Sequence, residues 1–191
     1  QAFAPALNPV GTISTTGHLT AQNAGRAIAF DWQTKAAGIG ATLGTNQVSQ
    51  LGLDLATTGT VTNFDQIHLS RTELTLSHQA QPAARIGASG DVAKTPLAAT
   101  LSVSGEIDLA RVTQILPQPD LRLASGDVRF IDLKVQQQGQ RQSVAGQVIL
   151  TNLTGKVATL DLKSLSLGAG CDVSVSNGKT IDLGRLSVHL A

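Results

Sequence analysis

The sequence predicts an all-β protein, an elongated, curved antiparallel sheet of the open-groove or taco-like kind, with one short helix near residues 108–116. Three observations support this prediction. Apolar and polar residues alternate with a period of two along much of the chain, helical periodicity is almost absent, and the apolar phase slips by one residue within several predicted strands. Period-two alternation is typical of a sheet with one apolar and one polar face.

We expect residues 1–10 to be a disordered or extended lead-in, because Pro5 and Pro9 interrupt regular structure there. Residues 11–191 then form a single β domain of loosely repeated strand pairs. An Ile/Leu-Asp-Leu motif recurs at 53–55, 107–109, 131–133, 160–162 and 181–183. Most copies are roughly 20 to 30 residues apart, which favours an elongated, stacked sheet over a closed globule.

The clearest strand runs from Leu101 to Leu109, where the odd positions are apolar or glycine and the even positions are polar. The same pattern predicts that Ile131, Leu133 and Val135 share one face. Near the C-terminus, Asn177-Gly178 lies between two alternating segments. These two residue types tolerate the positive φ of a type I′ turn, so a hairpin is predicted over about 172–183.

Two strands change their apolar phase partway along. Leu160 and Leu162 precede Leu165 and Leu167, and Ile181 and Leu183 precede Leu186 and Val188. A β-bulge at Lys163-Ser164 and another at Gly184-Arg185 would keep each set of four on one face while bending the sheet. A short turn between two strands is the alternative at both places.

One segment has helical spacing. Leu109, Val112, Ile115 and Leu116 fall on one side of a helix that ends before Pro117, and Asp108 is placed to cap its first turn. We expect this helix to lean on the sheet as a lid or end-plug.

Several functional classes are disfavoured by composition and motif. Fourteen basic and 13 acidic residues leave a formal charge of +1, and aromatic residues make up 3% of the chain, so nucleic acid is not an expected partner. Cys171 is the single cysteine, and the four histidines are too scattered for a metal site. The glycine-rich segment 38–44 lacks the context of a phosphate-binding loop. No catalytic triad or cofactor motif is present, so we expect a protein that is not an enzyme and needs no cofactor or metal.

A family resemblance is carried by the order of several strand motifs. Ala84–Val92 and Ala98–Leu109, followed by the short helix ending at Leu116-Pro117, resemble the AsmA-like family of bacterial envelope proteins. The segments 124–133 and 145–155 are similar to the next units of that family. The resemblance covers roughly residues 60 to 190 and rests on degenerate strand patterns.

The resemblance implies a long, incompletely closed sheet with an apolar inner face, in a periplasmic protein held at the bacterial inner membrane by segments outside this chain. Relatives of this kind, with the TamB-like and bridge-like lipid-transfer proteins, are thought to pass phospholipids through such a groove. We therefore expect a non-enzymatic module for lipid transport and cell-envelope maintenance, as in outer membrane biogenesis, whose partners are phospholipid or fatty acyl chains. The predicted groove residues are Leu101, Val103, Ile107, Ile131, Leu133, Val135, Leu160, Leu162, Leu165 and Leu167.

Alternation alone leaves a second interpretation open. The same apolar faces would fill a two-sheet sandwich, in which case no groove exists. The protein would then be a structural or adhesive extracytoplasmic β-domain with a closed core and no ligand.

Overall fold

A computed structural model describes residues 10–43, 46–176 and 180–190, and these form one antiparallel sheet with a single short α-helix. Each strand pairs with its neighbours in chain order, so the sheet is an uninterrupted meander that is not closed into a barrel. The predicted fold class is confirmed. The elements are β1 Val10–Gln22, β2 Ala27–Leu43, β3 Asn46–Thr62, β4 Gln66–His78, β5 Gln81–Ala93, β6 Ala98–Asp108, α1 Leu109–Ile115, β7 Leu121–Gln138, β8 Arg141–Val157, β9 Leu160–Ser176 and β10 Thr180–Leu190.

The sheet forms a single layer. The chain exposes 12835 Å² of surface, whereas a globular protein of its mass of 19.7 kDa exposes about 8,600 Å². Among the described residues, the buried apolar residues are Ala36, Ala83, Ala110 and Ile115. No second sheet packs on the first, so the closed sandwich considered from the sequence is not the architecture of the described residues.

The predicted helix is confirmed. The helix α1 begins after Asp108, whose Oδ1 accepts a hydrogen bond from the Arg111 backbone N–H at 3.0 Å, while its Oδ2 accepts one from Arg111 Nε. The helix packs mainly against β7 and also touches β5 and β6. Its buried residues are Ala110 and Ile115. Of the four residues that the spacing placed on one side, Ile115 is buried, Leu109 and Val112 are half-buried, and Leu116 is exposed.

Both predicted bulges are present. In β9, Leu162 lies opposite Gly155 and Leu165 opposite Leu153, so Lys163 and Ser164 together oppose Thr154, with Ser164 at φ +54°. In β10, Leu183 lies opposite Val173 and Arg185 opposite Asp172. Each bulge restores the apolar phase within one continuous strand, and the alternative of a turn is wrong at both places.

Two sequence predictions fall wholly or partly outside the described residues. The strands flanking the predicted hairpin pair as expected, with Thr180 opposite Ser176, but the Asn177-Gly178 turn itself is outside the described residues. The predicted lead-in at 1–10 is also outside them except for Val10, with which β1 begins.

Glycines allow close approach of strands at the bulges. Gly146 has φ +153°, a backbone region that other residues rarely adopt. A Cβ added to it would lie 2.7 Å from the Cα of Leu133 in the neighbouring strand. The glycine is therefore required where β8 passes the β7 bulge at Ile131-Asp132.

We predict that Gly146→Ala lowers the free energy of unfolding by about 2 kcal/mol, through backbone strain and the Leu133 contact. The matched control is Gly168→Ala, because a Cβ there meets nothing within 4 Å and Gly168 has no positive φ. That control should stabilise the sheet by about 0.5 kcal/mol, since alanine loses less entropy than glycine on folding. Urea unfolding followed by circular dichroism measures both. Equal effects of the two substitutions would contradict the close approach.

Candidate functional site

The register joins apolar residues into rows that cross the whole sheet. Residues directly opposite one another in paired strands share a face, so the pairings can be followed from β1 to β10. One such row is entirely aliphatic and has one residue from each strand: Ile13, Ala36, Leu53, Leu76, Ala84, Ile107, Val128, Leu150, Leu167 and Leu190. With strands about 4.8 Å apart, this row is about 43 Å long.

A second row lies beside the first on the same side of the sheet. It begins with two threonines and is otherwise apolar or glycine: Thr15, Thr34, Leu55, Leu74, Ile86, Gly105, Phe130, Val148, Ala169 and Val188. A third, shorter row joins Leu101, Val135, Val144, Val173 and Leu183. We call the side of the sheet that carries these three rows the apolar face.

The apolar face is open to solvent, most of all at its two ends. The side chains of Ile13 in β1 and Leu190 in β10 are 76% and 74% exposed. In the middle strands, the side chains of Leu101, Val135 and Val148 are half-buried by their neighbours within the sheet. Such a large contiguous apolar surface is rare on soluble monomers and marks an interaction site.

The opposite side of the sheet is polar, and we call it the polar face. The row between the two long apolar rows carries charges of alternating sign where Arg85, Glu106 and Arg129 lie opposite one another. The same row continues to Lys35 and Asp54, whose Nζ and Oδ2 are 3.4 Å apart. The row thus carries both signs of charge on an exposed surface, which favours solvation of the polar face.

A cavity of about 720 Å³ lies on the polar face. Arg71, Glu73, Arg85, Glu106 and Arg129 are among the residues that line it. The Arg71 Nη2 is 2.6 Å from the Glu73 Oε1, so at least one of these arginines is already paired with a carboxylate. The cavity is therefore a depression lined by side chains of both charge signs.

The structure places nine of the ten predicted groove residues on one side of the sheet. Register and the β9 bulge put Leu101, Val103, Ile107, Leu133, Val135, Leu160, Leu162, Leu165 and Leu167 together there. The tenth placement is wrong. Ile131 lies opposite Gln147 and beside Arg129, on the polar face.

The reason for the Ile131 error is a bulge that period-two counting does not register. Gly105 lies opposite Phe130 and Val103 opposite Leu133, so Ile131 and Asp132 together oppose Ser104. Asp132 has φ +50°, which is characteristic of such an irregularity. The bulge returns Leu133 and Val135 to the apolar face and leaves Ile131 on the polar one.

The list of groove residues taken from the sequence omitted the strands before β6. Leu53, Leu55, Leu74, Leu76 and Ile86 lie in the long apolar rows. Their alternation was visible, since Leu53 and Leu55 flank Asp54 just as Ile107 and Leu109 flank Asp108. Only the strand register shows that they belong to the same surface.

His68 and His189 lie on the polar face. His68 is paired across the strands with Asp91, with 2.7 Å between Nδ1 and Oδ1, and His189 lies opposite Gly168. Within the described ranges, no group of three His, Cys, Asp or Glu side chains is arranged to hold a metal ion. In the same ranges, no helix has the length and apolar character needed to cross a membrane.

Comparisons of this chain with protein-family models, with curated proteins and with solved structures found no match.

We predict that Ile131→Gln and Leu133→Gln differ in effect, although both residues are apolar and two positions apart in β7. Ile131 is 37% exposed on the polar face, so its change should alter the free energy of unfolding by less than about 0.5 kcal/mol. Leu133 is half-buried among aliphatic side chains, where an amide should cost about 1 to 2 kcal/mol. Chemical denaturation measures both. Equal losses would contradict the bulge at Ile131-Asp132.

Proposed function

We propose that this chain is a non-enzymatic lipid-handling module whose apolar face holds the acyl chains of phospholipids or fatty acids. The observation that carries the proposal is the continuity of the apolar rows, of which the first crosses all ten strands and the second is apolar or glycine from β3 to β10. An acyl chain is a long, thin, flexible apolar object, and a long apolar strip without a fixed polar contact matches its shape and chemistry.

The energetics of transfer explain why an open aliphatic strip suits this task. At about 0.8 kcal/mol for each methylene, exposing a sixteen-carbon chain to water costs on the order of 12 kcal/mol. A chain lying on a one-sided surface loses about half of that exposure, so the sheet recovers on the order of 6 kcal/mol. This gain favours loading from water and still permits release.

The composition of the strip favours sliding over fixed binding. Its threonines, Thr15 and Thr34, are confined to β1 and β2, and the positions from β3 to β10 in the two rows are aliphatic, glycine or Phe130. No hydrogen-bond donor along that stretch marks a stopping point. The contacts available to an acyl chain are therefore similar from one strand to the next.

The resemblance of residues 60–190 to AsmA-like envelope proteins supports a cellular setting for the same proposal. In that setting the sheet lies in the bacterial periplasm as part of a longer protein anchored in the inner membrane. The polar face, with charges of both signs, meets water there, while the apolar face carries lipid. The proposed partners are phospholipid or fatty acyl chains and the inner membrane.

A structural or adhesive role is the second candidate. It is favoured by the same exposed apolar surface if another protein layer, rather than a lipid, covers it in the cell. The two functions differ in one measurable property, which is whether the isolated protein takes up acyl chains.

We predict that native mass spectrometry of the protein purified from a bacterial host detects bound phospholipid or fatty acid, and that solvent extraction releases it. A fluorescent fatty acid added to the extracted protein should bind again. A mass equal to that of the polypeptide alone, together with no uptake of the added fatty acid, would contradict lipid handling and favour the structural role.

We predict that Val103→Asp weakens fatty acid binding at least tenfold, because a carboxylate on the apolar face costs more than about 1.4 kcal/mol when an acyl chain desolvates it. The matched control is Ser102→Asp, which places the same charge one residue away on the polar face of β6. The control should bind with unchanged affinity. Both variants must retain a β circular-dichroism spectrum. Unchanged binding by a folded Val103→Asp protein would show that this face does not hold the acyl chain.

A further inference from the structure

The two edges of the sheet differ in how they are protected. Edge strands present unpaired backbone N–H and C=O groups, and soluble proteins usually blunt them with charges, prolines or bulges. The edge strand β10 has Asp182, Arg185 and the bulge at Gly184. The edge strand β1 has no charged residue and no proline over its 13 residues, all of them exposed, and its register with β2 is regular from Thr12 to Gln22.

The sequence of β1 is self-complementary when it is laid antiparallel to a second copy of itself. With Thr16 opposite Thr16, the other opposed pairs are Ile13 with Leu19, Thr12 with Thr20, Ser14 with His18, Thr15 with Gly17, Gly11 with Ala21 and Val10 with Gln22. Ile13 meets Leu19, and Thr12 meets Thr20. No charge is brought against a like charge.

In this register, the apolar faces of the two copies lie on the same side of the joined sheet. A two-fold axis perpendicular to the sheet keeps both apolar faces on the same side, and it requires each residue to oppose one of the same parity. Ile13 and Leu19 both lie on the apolar side, where they oppose Ala36 and Phe30 of β2. The joined sheets would therefore continue one apolar surface across the junction.

We propose that β1 is a dimerisation edge, at which two copies of this chain pair antiparallel about Thr16 to form one sheet of twice as many strands. A second copy suits this edge better than head-to-tail pairing of β1 with β10. The Gly184 bulge shifts the phase of β10 halfway along, so a regular partner strand matches only one half of it in any register. The result is a closed dimer rather than a growing chain of copies. This inference does not depend on what the apolar face binds.

A tryptophan lies beside the β1 edge, and its fluorescence can report on pairing there. Trp32, the single tryptophan, is 43% exposed in β2, and a Cβ on Gly17 would lie 2.8 Å from its Cζ3, so the indole covers this glycine of β1. In the dimer, Gly17 faces Thr15 of the second copy. The emission of Trp32 should therefore shift to shorter wavelength as the protein concentration rises.

The first test is sedimentation of the full chain with a charge at the two-fold axis. We expect the unaltered protein to sediment as a dimer and Thr16→Lys to sediment as a monomer, because the two lysines would meet at about 5 Å. Thr180→Lys is the matched control, since it puts the same charge on an exposed position of the other edge strand and should leave the dimer intact. A monomeric unaltered protein, or a loss of dimer in Thr180→Lys alone, would overturn the proposal.

The second test fixes the register by disulfide cross-linking in a Cys171→Ser background. Thr12→Cys and Thr20→Cys proteins should form a disulfide when mixed, since these positions are opposed, and Thr16→Cys should cross-link to itself. Thr12→Cys alone should not, because its two copies would lie about 27 Å apart. Cross-linking of Thr12→Cys to itself would overturn this register. Species larger than a dimer would show that the edges join head to tail instead.

Discussion

Cross-strand register is the constraint on which the rest of this structure depends. The sheet is a single layer, so the packing of a second layer does not select which residues face inward. The native register is favoured because it places apolar residues of neighbouring strands opposite one another. A slip of one residue would move every apolar side chain of a strand to the polar face. The unbroken aliphatic row from Ile13 to Leu190 shows that ten strands satisfy this match together.

The bulges are the means by which long strands keep that match. A strand of 17 or 18 residues, such as β7 or β9, accumulates twist relative to its neighbours and cannot follow them with perfect alternation. Inserted residues at Ile131-Asp132, Lys163-Ser164 and Gly184-Arg185 restore the phase. Gly146 then allows the neighbouring backbone to approach one of these sites closely.

An open apolar surface has consequences for both stability and function. The side chains of the apolar face are half-buried by their neighbours rather than enclosed, so the sheet gains less from burial than a sandwich of the same size. Backbone pairing and lateral contacts along the rows must supply a larger share of the stability. Because these side chains are incompletely buried, a ligand or a second copy that covers them removes further apolar surface from water. The proposed lipid strip would bind through its exposed apolar side chains. The proposed β1 edge would bind through the unpaired backbone groups of an edge strand.

The sequence by itself determined the fold class, the helix with its Asp108 cap, the phase slips at Lys163-Ser164 and Gly184-Arg185, and the placement of nine residues of β6, β7 and β9 on the apolar face. These features are local, since alternation, helical spacing and capping are set by residues a few positions apart. It did not determine the side of the sheet on which Ile131 lies, that strands β1 to β5 extend the same surface, or that no second layer of the described residues covers that surface. Those features depend on which residues oppose one another across strands, and that pairing is decided by the hydrogen-bonded ladder of the whole sheet.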